Sequence, residues 1–348
     1  MENALKIFIP AALSFLTGIL LTPIATHYFY KYKMWRKTSR KENGQSAEFQ
    51  KIYEDSELRT PRTGGMIIWL SVVITIFTFG VIHFFFHTAV TDKLYFLSRS
   101  QTVLPFFALV VASLIGLGDD FLQIFGRGNW VNDPIVLRYI KIGIIVFLGM
   151  IIGYWFFGKL GISHLYIPWF GFIELGFLFI PFFILIMLGV FSASIIDGLD
   201  GLSGGVIASI FMAYTLIAFF NNQIDLATFC AVVTGATLAF LWFNIPPARF
   251  YMGESGMIGL TVTISVVAFL TNTVLLLPII AFPLFATSAS AIIQMLSRRF
   301  RNGKKVFLVA PLHHHLEACG WPKQKVTMRY WIVGIVSAVI GVILSLIN

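Results

Sequence analysis

Apolar residues run in long blocks along this chain, and polar residues gather in the gaps between them. Ten blocks meet or approach the ~20 apolar residues that one membrane-spanning helix needs. They lie near Ile7–Tyr28, Met66–Phe86, Val103–Leu117, Tyr139–Phe157, Ile173–Phe191, Leu202–Phe220, Leu226–Phe243, Met257–Leu270, Val274–Leu296 and Tyr330–Ile347. The third and eighth are short and are expected to extend into their flanking loops. The pattern predicts an all-α polytopic membrane protein of about ten transmembrane helices, forming one domain over residues 1–348.

Composition agrees with that solvent. Hydrophobic residues make up 57% of the chain and charged residues only 12%. A soluble domain carries about 25% charged residues, so a water-soluble globule is excluded. Met1–Ile9 lacks the basic start of a cleavable signal peptide, and the first block is long enough to span. Cys230 and Cys319 are read as two unpaired thiols.

Charge adds direction. Lysines and arginines crowd the gap after the first block, from Lys31 to Arg62, and the gap after the ninth, from Arg298 to Arg329. Arg127, Arg138, Lys141 and Arg249 follow the third and seventh blocks, while the opposite side holds Lys6, Lys93, Arg99 and Lys159. Positive loops stay in the cytoplasm. Both termini are therefore expected outside, with five cytoplasmic loops forming the active site. The net charge of +9 gathers on one face. A nucleic-acid binder would share that charge, but no soluble domain is present to hold one. A basic rim beside anionic lipid is the simplest reading, and such a rim also draws in an anionic substrate.

The acidic residues carry the chemistry. Asp119 and Asp120 close the third block, Asp197 and Asp200 sit in Asp-Gly-Leu-Asp-Gly-Leu, and Glu254 sits in Met-Gly-Glu-Ser-Gly. One acidic pair at a helix end is as readily a solvated cap. Three acidic motifs on one face, each set among glycines, point to a site, because carboxylates at membrane depth are costly. Carboxylate oxygens suit Mg²⁺, which is held by one or two such groups together with substrate phosphates. Adjacent carboxylates in a dry pocket repel unless a cation intervenes, so the pair is expected to be reactive and not a cap. The run His313-His314-His315 suggests transition-metal binding at first sight. Consecutive side chains diverge on any regular element, so phosphate binding is the preferred role. His83 and His87 are read as interfacial.

Taken together, these residues resemble a known family. Asp119-Asp120, the Asp197–Leu202 loop, Leu241-Trp242-Phe243-Asn244 before Met252-Gly253, and Pro311-Leu312-His313-His314-His315 follow the order and spacing of the polyprenyl-phosphate N-acetylhexosamine-1-phosphate transferases. The stretch from Lys304 to Tyr330 is most similar to the branch whose donor carries N-acetylmuramoyl-pentapeptide. The resemblance spans the chain and implies a Mg²⁺-dependent enzyme of the bacterial inner membrane. Its donor would be UDP-N-acetylmuramoyl-pentapeptide and its acceptor undecaprenyl phosphate. UMP would leave, and the product would feed peptidoglycan synthesis, and with it cell-wall biogenesis, cell shape and division. A homodimer is among the assemblies it allows. By this resemblance Asp119 activates the lipid phosphate with Asp120 beside it, and His313, His314 and His315 join them as catalytic residues. Ser194, Asp197, Gly198, Leu199, Asp200, Asn244 and Tyr251 bind the substrate, and Glu254 binds the metal.

Some positions depart from the family. Glu254 stands for its Asp, Ser194 for its Asn, Gln123 for the basic residue of Asp-Asp-x-x-Lys, Tyr251 for its Phe, and Glu57 for a Lys before Thr60-Pro61. Arg59 and Arg62 are candidates to restore that charge. A transferase for UDP-N-acetylglucosamine or another UDP-sugar, a non-catalytic relative, and an ion-coupled transporter stay open at this stage. Transporter sites lie near the bilayer midplane on broken helices, whereas these acids lie at helix ends. Pro278 and Pro283 interrupt the ninth block, which is expected to bend and wall a groove open sideways to lipid.

Overall fold

The computed structural model describes residues 2–35, 60–98, 101–126 and 134–347. Among them lie nine helices long and apolar enough to cross a membrane, and a tenth span if one bent pair is counted together. In chain order the helices are α1 (Glu2–Lys31), α2 (Gly65–Phe85), a short α3 (Ala89–Leu94), α4 (Val103–Phe125) and α5 (Pro134–Lys159). Then come α6 (Phe179–Ser192), α7 (Leu202–Phe220), α8 (Ile224–Asn244), α9 (Gly253–Leu270), α10 (Leu277–Ile280), α11 (Phe282–Phe300), α12 (Leu312–Ala318) and α13 (Lys323–Ile347).

All ten blocks find helices, with four corrections. The third helix runs on to Phe125, so Asp119 and Asp120 lie inside α4 and not at its end. The fifth begins at Phe179. Ile173 belongs instead to a small hairpin of β1 (His164–Ile167) and β2 (Gly171–Glu174), where it pairs with Leu165. Trp169 and Gly171 turn that hairpin with φ of 66° and 88°. The eighth begins at Gly253, which puts Glu254 in the first turn of α9 and not in a loop. The ninth is broken: Val274–Ile280 and Phe282–Phe300 meet at 86°. Pro278 and Pro283 each occupy the first turn of their helix, where a missing N–H leaves nothing unbonded. The site is accordingly built from helix walls as much as from loops.

The hub is α9, with 94% of its apolar window buried against 33% for α13. Lipid tails are as apolar as leucine, so close packing, not the hydrophobic effect, joins helices here. Small residues make that packing close: a Cβ on Gly116 of α4 would lie 2.2 Å from the Glu254 carbonyl oxygen. Buried hydroxyls along α9 bond back into their own helix at Thr261, to Met257 O, and at Thr263, to Gly259 O, both at 2.7 Å. Phe269 ends the hub in an aromatic cluster with Phe179 and Phe183, ring centroids 5.3 and 5.0 Å away.

The end of the bundle away from the acidic motifs is tied by polar side-chain pairs. Lys6 of α1 meets Asp225 of α8 at 2.5 Å. His83 sits 3.1 Å from Asp92 and stacks on Tyr95 at 4.6 Å, which fixes α3 to the end of α2. Gly341 of α13 packs against Ile280 beside the break. The two termini thus share this end.

Candidate active site

The site is organised around the start of α9. Gly253 has φ of +69°, and a Cβ there would stand 1.7 Å from the Arg62 carbonyl oxygen. Only glycine fits so strained and close an approach. The first backbone amides of a helix have no partner within it. Here carboxylates from other elements accept them. Gly253 N donates to Asp197 Oδ2 at 3.1 Å, Glu254 N to Asp120 Oδ1 at 3.0 Å, and Ser255 N to Asp120 Oδ2 at 2.9 Å. Negative charge at a helix N-terminus is also favoured by the helix dipole. Asp120, only 3% exposed, therefore caps a neighbouring helix. The expectation of a reactive pair did not include this capping role.

Asp197 keeps its second oxygen for Ser203 Oγ at 2.7 Å. Burial pushes its carboxyl above the usual range, while the Ser203 hydroxyl, the Arg62 charge and the Gly253 amide act against that rise.

Asp119 faces elsewhere, because consecutive helical residues point roughly 100° apart. Its Oδ2 accepts from Gln123 Nε2 at 2.6 Å and lies 2.8 Å from Lys141 Nζ. The same ammonium lies 2.8 Å from Glu254 Oε1. Asp119, Lys141, Glu254 and Ser194 line one groove of about 750 Å³. Arg138, Arg298 and Lys305 make its basic rim, and Phe191, Ile292 and Met295 lie on its apolar wall. Met295 is 59% exposed, so that wall opens to the outside of the bundle along α11, below the break. The groove beside the bent ninth block thus reaches Asp119.

The loop from Asp197 to Gly201 follows a 3-10 turn at Ala193–Ile196. Asn244 Oδ1 accepts from Gly201 N at 3.0 Å and its Nδ2 donates to Phe250 O at 2.8 Å. Asp200 Oδ2 accepts from Ala248 N at 3.1 Å. Both side chains thus join the 197–201 loop to the 245–252 loop. Thr327 and Trp331 of α13 brace the same loop by donating to the carbonyls of Asp200 and Gly201. Leu199 is buried. Tyr251 is half-buried, and its amide donates to Pro61 O. Its neighbour Phe250 fills the core against Phe240 and Phe29.

The histidine run forms the short helix α12, and its members part company. A Cβ on Gly198 would lie 2.6 Å from His313 Nε2 and 3.0 Å from His314 Nε2, so both rings press on the 197–201 loop. His314 Nδ1 is 2.7 Å from Glu317 Oε2. His315 turns to the preceding segment, where it accepts from Leu308 N at 3.2 Å and meets the Phe307 ring. It is not brought to the cluster. His313 is fully buried, and burial together with His314 holds its pKa well below the ordinary histidine value. Among the described residues neither ring nitrogen of His313 has a hydrogen-bond partner.

Sequence reasoning missed Lys141, Ser203 and Glu317 beside the site, and it singled out Arg62 only as a compensating charge. Lys141 had been counted only as an orientation charge. Its place inside an apolar block is itself a signal, since ionisable residues in spans are functional by default. Glu57 and Arg59 lie outside the described residues.

Comparison with known proteins gives concordant results. The model of glycosyl transferase family 4 matches residues 102–272. The phospho-N-acetylmuramoyl-pentapeptide-transferase of Geobacillus sp. (strain WCH70) is 34% identical over 333 residues, covering 95% of each chain. The proteins of that name from Geobacillus thermodenitrificans and Anoxybacillus flavithermus are each 32% identical, with 97% and 98% of each chain covered.

Proposed function

Because this chain belongs to the phospho-N-acetylmuramoyl-pentapeptide transferase family, we propose that it transfers phospho-N-acetylmuramoyl-pentapeptide from a UDP-linked donor to undecaprenyl phosphate, releasing UMP. The observation that carries this reading is the groove itself. One cavity joins carboxylates, an ammonium and a basic rim to an apolar wall open along α11. A water-soluble polyanion and a lipid phosphate can meet only where such surfaces adjoin.

In the reaction, an oxygen of the acceptor phosphate attacks the sugar-linked phosphorus of the donor. The bond from that phosphorus to the UMP oxygen breaks, and UMP carries the electron pair away. Asp119 is the group placed to take a proton from the acceptor phosphate, since Asp120 has both oxygens on α9 amides. Asp197, Gly198 and Leu199 receive the nucleotide, with Asn244 and Asp200 holding the loop in shape and Ser194 and Tyr251 at its margins. His313 and His314 offer ring nitrogens to the diphosphate, and His315 steadies the 304–311 segment.

Magnesium fits this donor set. Asp119 and Glu254 turn carboxylate oxygens toward one cation already, the Lys141 ammonium, and hard oxygen donors are what Mg²⁺ prefers. Glu254 would hold the ion, which when bound offsets the diphosphate charge. The basic loops support a site on the cytoplasmic face of the inner membrane. A homodimer, the further partner expected, is tested by the mass of the particle in nanodiscs.

The decisive experiment is UMP release by purified protein with undecaprenyl phosphate and Mg²⁺. The muramoyl-pentapeptide donor should be turned over and UDP-N-acetylglucosamine should not. Turnover of the second donor alone, or of neither, would overturn the reading. Loss of activity in EDTA, restored by Mg²⁺, tests the metal.

A further inference from the structure

Lys141 is the least expected member of the site. It stands in a spanning helix with its side chain 18% exposed, yet its Nζ lies 2.8 Å from both Asp119 Oδ2 and Glu254 Oε1. Those carboxylates come from α4 and α9, so one ammonium from α5 links three helices. An ammonium has three donors, and two of them go to these carboxylates. The third is available to an oxygen of a phosphate entering the groove that Lys141 lines. Arg138, Lys141 and Ile142 share one face of α5 and line the same groove, as residues three and four apart on a helix do.

The neighbouring position explains why the charge sits there. Gln123, one turn after Asp119, donates its amide to the same Asp119 oxygen, at 2.6 Å. A neutral amide at that point leaves Asp119 without a cation from its own helix. Two carboxylates facing one partly buried groove would then repel each other.

We propose that Lys141 is a positioning residue for the transfer, holding Asp119 and Glu254 in one arrangement and supplying from α5 the positive charge that α4 lacks at Gln123. The proposal rests on the transferase reading above. It makes positions 123 and 141 an exchangeable pair: the charge must be at one of them, and either side chain reaches Asp119.

The test uses the full-length enzyme in nanodiscs and three variants, Lys141→Gln, Gln123→Lys and the double exchange Gln123→Lys/Lys141→Gln. Wild-type protein is assayed alongside, so a wild type that releases no UMP defeats the functional reading rather than this one. Lys141→Gln is expected to lose ~100-fold or more in kcat, the scale of a positioned polar group, with little change in donor KM. The double exchange should recover most of that loss. A second readout needs no turnover. Mn²⁺ binding without substrate, followed by electron paramagnetic resonance, should tighten several-fold in Lys141→Gln, because the ammonium competes for the same carboxylates. Wild-type kcat in Lys141→Gln, unchanged Mn²⁺ affinity, or a double exchange as inactive as the single variant would each overturn the proposal. If Lys141→Gln does not accumulate, the double exchange decides alone, and a double variant without turnover, folded or not, overturns it.

Discussion

Two lysines close ion pairs at opposite ends of this bundle, and their surroundings set them apart. Lys6 meets Asp225 at 2.5 Å, and Lys141 meets Asp119 at 2.8 Å. Both pairs join two helices, and both lysines are about equally shielded, at 20% and 18% exposure. Lys6 serves one carboxylate and ties α1 to α8. Lys141 is shared by two carboxylates and borders a groove with a basic rim. Distance and burial alone would rank the two alike. An ion pair is weak evidence for stability, and its job is read from what else converges on it.

The largest expected difference between the ends is in turnover. Asp119→Asn should cost at least ~100-fold in kcat, the usual scale for a positioned acid–base group, with an unchanged melting temperature. Asp225→Asn should leave kcat near wild type and cost at most ~1 kcal/mol of stability. Parallel UMP-release and thermal-unfolding assays check both, and equal effects on turnover would erase the contrast.

Next comes Glu254, which shares Lys141 with Asp119. Glu254→Gln should abolish Mg²⁺-dependent turnover, whereas Glu254→Asp should retain or improve it. A Mg²⁺ titration of both variants decides the matter, and full activity in the Gln variant would remove Glu254 from the metal site.

Asp120 should behave like a structural residue within the reactive end. Asp120→Ala strips the acceptors from two α9 amides, and each buried group left unbonded costs ~1–3 kcal/mol. The melting temperature should fall in Asp120→Ala but not in Asp119→Ala. Equal melting temperatures would return Asp120 to the reactive set.

The smallest effect is one of pH. The folded chain keeps His313 neutral below the ordinary histidine value of 6.5, so the unfolded chain binds more protons there. Stability is therefore lost as pH falls through about 6.5 and into the range of the depressed pKa. His313→Gln should show a shallower loss than wild type in melting curves from neutral to acidic pH. Parallel curves would mean that His313 does not contribute.

Much of this was legible in the chain. The ten apolar blocks located the spans because lipid imposes a length on them, and the acidic motifs are the ones that meet around the start of α9. The split between Asp119 and Asp120 was not legible. Helical periodicity says that adjacent residues diverge, but not that one of them meets the amides of a helix starting more than a hundred residues later. Lys141 was hidden by its apolar neighbours, which made it look like an orientation charge. The end of β2 reads as apolar sequence, and Ile173 with it fell into the fifth block. The prolines were expected as a kink within the ninth block, and they instead begin two helices on either side of a break. His315 could not be separated from His313 and His314 until α12 gave each ring its own direction.

The start of α9 has a consequence for how the donor is captured. A helix N-terminus is often where phosphates are cradled, but here Asp120 and Asp197 have taken the amides of Gly253, Glu254 and Ser255. On the proposed reading the diphosphate is met, beside His313 and His314, by the long side chains of Arg138, Arg298 and Lys305 on the rim. Attraction by exposed cations is screened over about 8–10 Å at ordinary ionic strength, unlike bonds to a buried backbone. Affinity for the donor is thereby coupled to the salt content of the surrounding solution, and added salt should raise donor KM while sparing the chemistry of the bound complex.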